Sequence, residues 1–171
     1  MSAAQELRRR TANCHEAVDA AFGGYDLSDR DRYGALLAAH ARALLPAEEA
    51  LLRWPGLPRW RSRAQALRSD LASLNQARPA ELGFTLASEE AAFGALYVLE
   101  GSRLGNTMLS RQIGAGLPAA YMGARHESGE WRSLLLAFDT AGEQGDAEWL
   151  SRAVDGAEQT FALYLRAQRE G

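Results

Sequence analysis

The chain has 171 residues and a formal net charge of −3, from 19 basic and 22 acidic side chains. That length bounds one ordinary domain over 1–171 with one sizeable core, and 47% hydrophobic residues exclude intrinsic disorder. The near-balanced charge gives no general pull towards phosphate backbones, which argues against nucleic-acid binding.

Ala occurs 33 times and Leu 25 times, against three Val and one Ile. Strands need β-branched side chains, whereas Ala and Leu are strong helix formers, so the expected fold class is an all-α, single-domain helical bundle. Every basic residue is Arg, so any anion clamp here is arginine. Cys14 is the single cysteine, which rules out an intramolecular disulfide and fits a reducing cytoplasm. Arg8-Arg9-Arg10 is followed by Asn13, His15, Glu16 and Asp19 rather than by an apolar run, so it does not read as a signal peptide. No stretch reaches the roughly 18 to 20 apolar residues of a membrane span. A soluble, cytoplasmic protein without membrane contact is expected.

The predicted elements follow in chain order. A first helix runs from about Ala3 to Phe22 and stops at Gly23-Gly24. A second starts at the Ser28-Asp29 cap pair and runs towards Arg53, with Pro46 expected to kink or split it. Trp54 to Pro58 is a turn, and a third helix covers about Arg59 to Gln76. Ser88 caps a fourth, which ends near Ile113. A fifth fits Glu130 to Thr140, and a sixth Asp146 to Arg169, with Trp149, Ala153, Ala157, Phe161 and Tyr164 at helical spacing.

On the first helix, at about 100° per residue, Leu7, Thr11, Cys14, Val18 and Phe22 share one stripe. His15 lies at its edge, about 80° from Leu7, with Arg8 at about 100° and Asp19 at about 120°. A carboxylate on one imidazole nitrogen fixes the tautomer and leaves the other nitrogen free for a metal. The plainer reading is a boundary histidine in an i,i+4 ion pair. His40 and His126 have no ligand spacing, so replacing them should be nearly silent in a test of the metal ligand, and neither an H-E-x-x-H nor a Glu-x-x-His pair is present. Cys14 reads as a small core residue.

The fourth helix carries Gly94, Gly101 and Gly105 in its interior, each costing about 1 kcal/mol relative to Ala. All three lie within about 40° of one another, flanked by Met108 and Tyr97. Either another helix packs closely there, or a flat ligand lies against bare backbone.

The segments Leu7 to Asp19 (LRRRTANCHEAVD) and Leu96 to Thr107 (LYVLEGSRLGNT) resemble the proximal- and distal-helix motifs of the haem (heme) oxygenase family. The likeness is nearer to its bacterial, phytochrome-associated branch. It spans nearly the whole chain, and His15 and Gly101 stand 86 residues apart. The resemblance implies that His15 is the proximal ligand of the haem iron, that Asp19 partners it and that Arg8 pairs with a propionate. It implies that Gly101 and Gly105 let the distal helix lie over the haem, with Ser102 organising the distal side. Thr11, Tyr97, Phe161 and Tyr164 would complete the surroundings. Asn106 stands where the family has the second glycine of its final pair, about 140° round from Gly101. The implied activity is cleavage of haem, both cofactor and substrate, to biliverdin, carbon monoxide and iron with O2. The partners implied are an electron donor such as a ferredoxin or flavin reductase, and a phytochrome receiving biliverdin. Two other readings stay open: a haem sensor or carrier on the same fold without efficient turnover, and a helical bundle that binds no haem.

Overall fold

The structure, a computed structural model, describes residues 1–170. Among the described residues seven α-helices follow in order: α1 (Ala3–Arg10), α2 (Ala12–Phe22), α3 (Arg30–Leu51), α4 (Ala64–Ser73), α5 (Glu89–Leu109), α6 (Glu130–Gln144) and α7 (Trp149–Arg169). One 3-10 turn, Ser110–Gln112, extends α5. No strand occurs among the described residues, so the fold is all-α. No described helix is long and apolar enough to cross a membrane.

The helix starts are written in side-chain caps. Asp29 accepts the Arg32 N–H at 2.9 Å and Ser88 accepts the Ala91 N–H at 3.1 Å, as their sequence positions predicted. Ser2 and Gln5 add a reciprocal capping box to α1.

Three expectations are revised. The first helix is interrupted at Thr11, whose hydroxyl donates to the Leu7 carbonyl at 2.9 Å alongside its own N–H at 3.0 Å. Such back-bonding draws the carbonyl outward and bends the helix, here one turn before His15. Secondly, Pro46 does not split α3. It has no N–H for the Arg42 carbonyl, and the Leu82 N–H takes that place at 3.2 Å, pinning the α4–α5 connection to α3. Thirdly, residues 59–63 are not helical. Their polar groups are taken by distant partners: the Glu48 carboxylate accepts from the Ser62 hydroxyl and, at 2.8 Å, from the Arg63 N–H, while Arg61 forks onto Glu130 at 2.9 Å.

α3 is buried on nearly every side, from Tyr33 to Leu51. α4, α5 and α7 pack around it, and a second apolar cluster joins α1, α5, α6 and α7 through Leu7, Phe93, Phe138, Trp149 and Phe161. The closest crossing is α5 on α7. A Cβ on Gly94 would collide with the Ala153 carbonyl, and one on Gly156 with the Ala91 carbonyl. Glycine at both positions lets the two backbones touch. α1 and α2 lean on α7, and α1 is also tied to α6, where Asp139 accepts the Ala4 N–H at 2.8 Å.

Candidate functional site

α2 and α5 both rest on α7, and the second apolar cluster receives Cys14 and Val18 from α2 and Tyr97 from α5. His15 stands at the edge of the buried stripe, as its helical angle required. Its side chain is 63% exposed, its ring lies 5.9 Å from that of Phe161 on α7, and Nε2 is 3.4 Å from Asp19 Oδ2. Arg8, also exposed, is close enough for its charge to be felt at the Tyr97 hydroxyl; burial raises that phenol's pKa and the guanidinium opposes the rise. His15 thus neighbours Asp19 and Phe161, Arg8 neighbours Tyr97, and Tyr97 and Phe161 belong to one apolar cluster.

The three glycines of α5 divide into two kinds. Gly94 is helix packing. At Gly101 a Cβ would meet only the Trp131 ring, at an ordinary 3.6 Å, and at Gly105 it would meet nothing within 4 Å. Leu104, Met108 and Leu109 beside them are exposed. The last two glycines therefore leave a strip of backbone uncovered, which the packing of α5 on α7 does not need. Among the described residues no three His, Cys, Asp or Glu side chains converge on one point, so a bare metal ion would find only isolated ligands. A group that brings its own equatorial donors needs only one, and His15 can be that one.

Thr11, Asn106 and Tyr164 have their polar groups turned inward. The Thr11 hydroxyl is spent on Leu7, Asn106 donates to the Tyr121 hydroxyl at 3.5 Å, and the Tyr164 hydroxyl is buried without a partner among the described residues. The Asn106 side chain therefore does not fill the bare strip, in keeping with its angle from Gly101. Ser102 donates to the Leu99 carbonyl at 2.7 Å and accepts from Arg63 at 3.1 Å.

Behind α5 lies a polar layer that sequence spacing did not show. Arg63, 2% exposed, donates to Leu99 O at 2.7 Å and lies over the Tyr121 ring. Glu100 accepts from Arg103 at 3.2 Å and pairs with His126 at 2.9 Å. His40 Nδ1 lies 2.6 Å from the Tyr121 hydroxyl. Both histidines are therefore structural: their replacement should lower stability, while leaving the expectation for a metal ligand untouched. The only signal for this layer was the angle of Arg103, about 200° from Gly101 and so on the far face.

Burial, and secondly the Arg63 charge, push the His40 pKa from 6.5 down to about 3. Between those values the unfolded chain binds a proton that the folded chain refuses. The stability is therefore intact above pH 6.5 and falls as the pH drops towards 3, by up to about 1.4 kcal/mol per pH unit. His40→Gln should be less stable at pH 7 yet lose less between pH 6.5 and 4. Urea unfolding across that range checks this, and an unchanged acid slope would place its origin elsewhere.

Two surface grooves, of about 330 and 460 Å³, flank the Gly56–Pro58 turn and contain none of these residues.

No protein-family model matches the chain. A solved structure, the NO- and CO-bound heme oxygenase from Neisseria meningitidis, superposes with a TM-score of 0.81 over 99% of this chain and 92% of that one at 19% identity, which speaks for the fold. A curated relative, heme oxygenase from Xanthomonas campestris pv. campestris (strain 8004), is 31% identical over 148 residues, 80% of this chain and 88% of its own. Identity at that level over most of both chains means that this chain belongs to the heme oxygenase family.

Proposed function

We propose that the chain binds haem between the α1–α2 segment and the bare strip of α5 and cleaves it oxidatively to biliverdin, carbon monoxide and iron. The observation that carries the reading is the uncovered backbone at Gly101 and Gly105, two glycines that cost about 2 kcal/mol of helix propensity and at which an added Cβ would meet no atom of α7. Membership of the family and the exposed His15 support it. Haem, when bound, supplies both the iron that activates O2 and the ring that is consumed.

The chain's own residues bind, orient and withhold. His15 offers one ring nitrogen as the iron ligand while Asp19 accepts from the other. Arg8 stands on α1, ahead of the break at Thr11, for a propionate. Gly101 and Gly105 admit a flat ring to the backbone. Just as important is what the strip lacks. The Ser102 proton is committed to Leu99, and Arg103 is held behind the helix by Glu100, so this stretch presents no free acid or base to divert oxygen chemistry from the ring.

Electrons come from a separate donor such as a ferredoxin or flavin reductase. The sequence motifs favour the phytochrome-associated branch, with biliverdin passed to a phytochrome. The test is titration of the purified protein with ferric haem, then a reductant in air. A one-to-one Soret complex that converts to a biliverdin-like spectrum is expected. A complex that survives many reducing equivalents unchanged would identify a haem carrier instead.

A further inference from the structure

A haem disc has nearly fourfold shape, and a strip of bare backbone has no features to favour one rotation of it over another. Arg8 can hold a propionate from the α1 side, but on the side of the strip an asymmetric neighbour is also needed to index the ring if one edge is to be opened selectively. At Gly105 nothing stands within 4 Å of the Cβ position, whereas at Gly101 the Trp131 ring does, at 3.6 Å. The strip is open at one end and walled at the other.

That wall is rigid. The Trp131 ring sits between Tyr97, centroids 5.6 Å apart, and His126, 5.7 Å apart. His126 is in turn held by Glu100 at 2.9 Å, and Glu100 by the buried Arg103. The backbone on which Trp131 rides is fixed as well, because Arg61 forks onto the adjacent Glu130 and donates to the Arg125 carbonyl at 2.7 Å. Moving the indole would disturb a buried ion pair and two aromatic contacts.

Resting on the haem reading above, we propose that Trp131 sets the in-plane seating of the haem and so selects which edge of the ring is opened. It is a specificity-determining side chain at the rim of the strip, supported from behind by His126 and Glu100.

The experiment uses the haem-loaded ferric protein. Its paramagnetically shifted methyl proton resonances count the seatings present, and chromatography of the biliverdin isomers reads the edge opened. Wild type should show one dominant seating. Trp131→Leu should lower the ratio of dominant to minor seating about ten-fold, the scale of one well-placed aromatic contact, with the isomer ratio following. Trp131→Phe should fall between the two. If Trp131→Leu does not fold, Glu100→Gln keeps the indole and loosens its support, and the seatings should again mix. A haem-loaded variant, Trp131→Leu or Glu100→Gln, with the wild-type methyl pattern would overturn the proposal. A wild type that forms no Soret complex would instead overturn the haem reading on which it rests.

Discussion

Gly94→Ala should destabilise the protein by about 3 kcal/mol, even though alanine is the better helix former by about 1 kcal/mol. The added methyl would collide with the Ala153 carbonyl and crowd the Ala157 nitrogen at 2.9 Å. Both are backbone atoms of α7, which cannot turn aside as a side chain would, so α5 and α7 must separate and open the core along their length. At about 2 to 4 °C per kcal/mol for a chain of this size, the melting temperature should drop by about 6 to 12 °C. Gly105→Ala, eleven residues further along the same helix, should do the opposite. Its methyl meets nothing, so the apoprotein should gain up to about 1 kcal/mol while haem seating and turnover decline. Chemical and thermal unfolding of the two variants side by side decides the matter. Equal destabilisation of both would mean that all the glycines serve helix packing and that the strip is not a ligand surface.

His15→Ala should abolish the Soret complex and leave the apoprotein almost as stable as before. The side chain is 63% exposed and its acidic neighbour is exposed too, so the loss to folding is within about 0.5 kcal/mol. The loss to haem should exceed the roughly 10- to 100-fold that follows from removing a ligand's supporting partner, because the ligand itself is gone. Added imidazole should restore the band by entering the space left by the ring. An unchanged spectrum in His15→Ala would remove this residue from the site. His40 and His126 make the control informative in the other direction. Both are held in buried hydrogen bonds, so their replacement should lower stability without removing the iron ligand.

What could be read from the sequence was local and periodic. Asp29 and Ser88 announced two helix starts because a cap is a contact between residues three apart. The edge position of His15 and the far-face position of Arg103 followed from helix geometry alone. What could not be read depended on partners far along the chain. Residues 59–63 resemble the start of a helix, and their distant partners, Glu48 and Glu130 among them, keep them out of one. Pro46 reads as a breaker because nothing nearby reveals that the Leu82 N–H takes its missing bond. Gly94 and Gly105 share a helical face and are indistinguishable by angle; only the path of α7 separates a packing glycine from an uncovered one. Trp131 carries no periodic signal and comes to the bare strip only because the chain between α5 and α6 returns it to Gly101.

The contact at Gly94 and Gly156 also fixes a reference point for the rest of α5. There α5 and α7 touch backbone to backbone, while further along α5 is held from behind, with Arg63 donating to Leu99 and Ser102, Arg103 donating to the Arg61 carbonyl and Asn106 donating to Tyr121. Gly105 lies about 16 Å beyond Gly94 at 1.5 Å per residue, so a tilt of only about 4° swings it by about 1 Å. The buried hydrogen bonds of Arg63, Arg103 and Asn106 oppose any such tilt. The strip at Gly101 and Gly105 is therefore a shelf rather than a flap, and whatever rests on it must come to it.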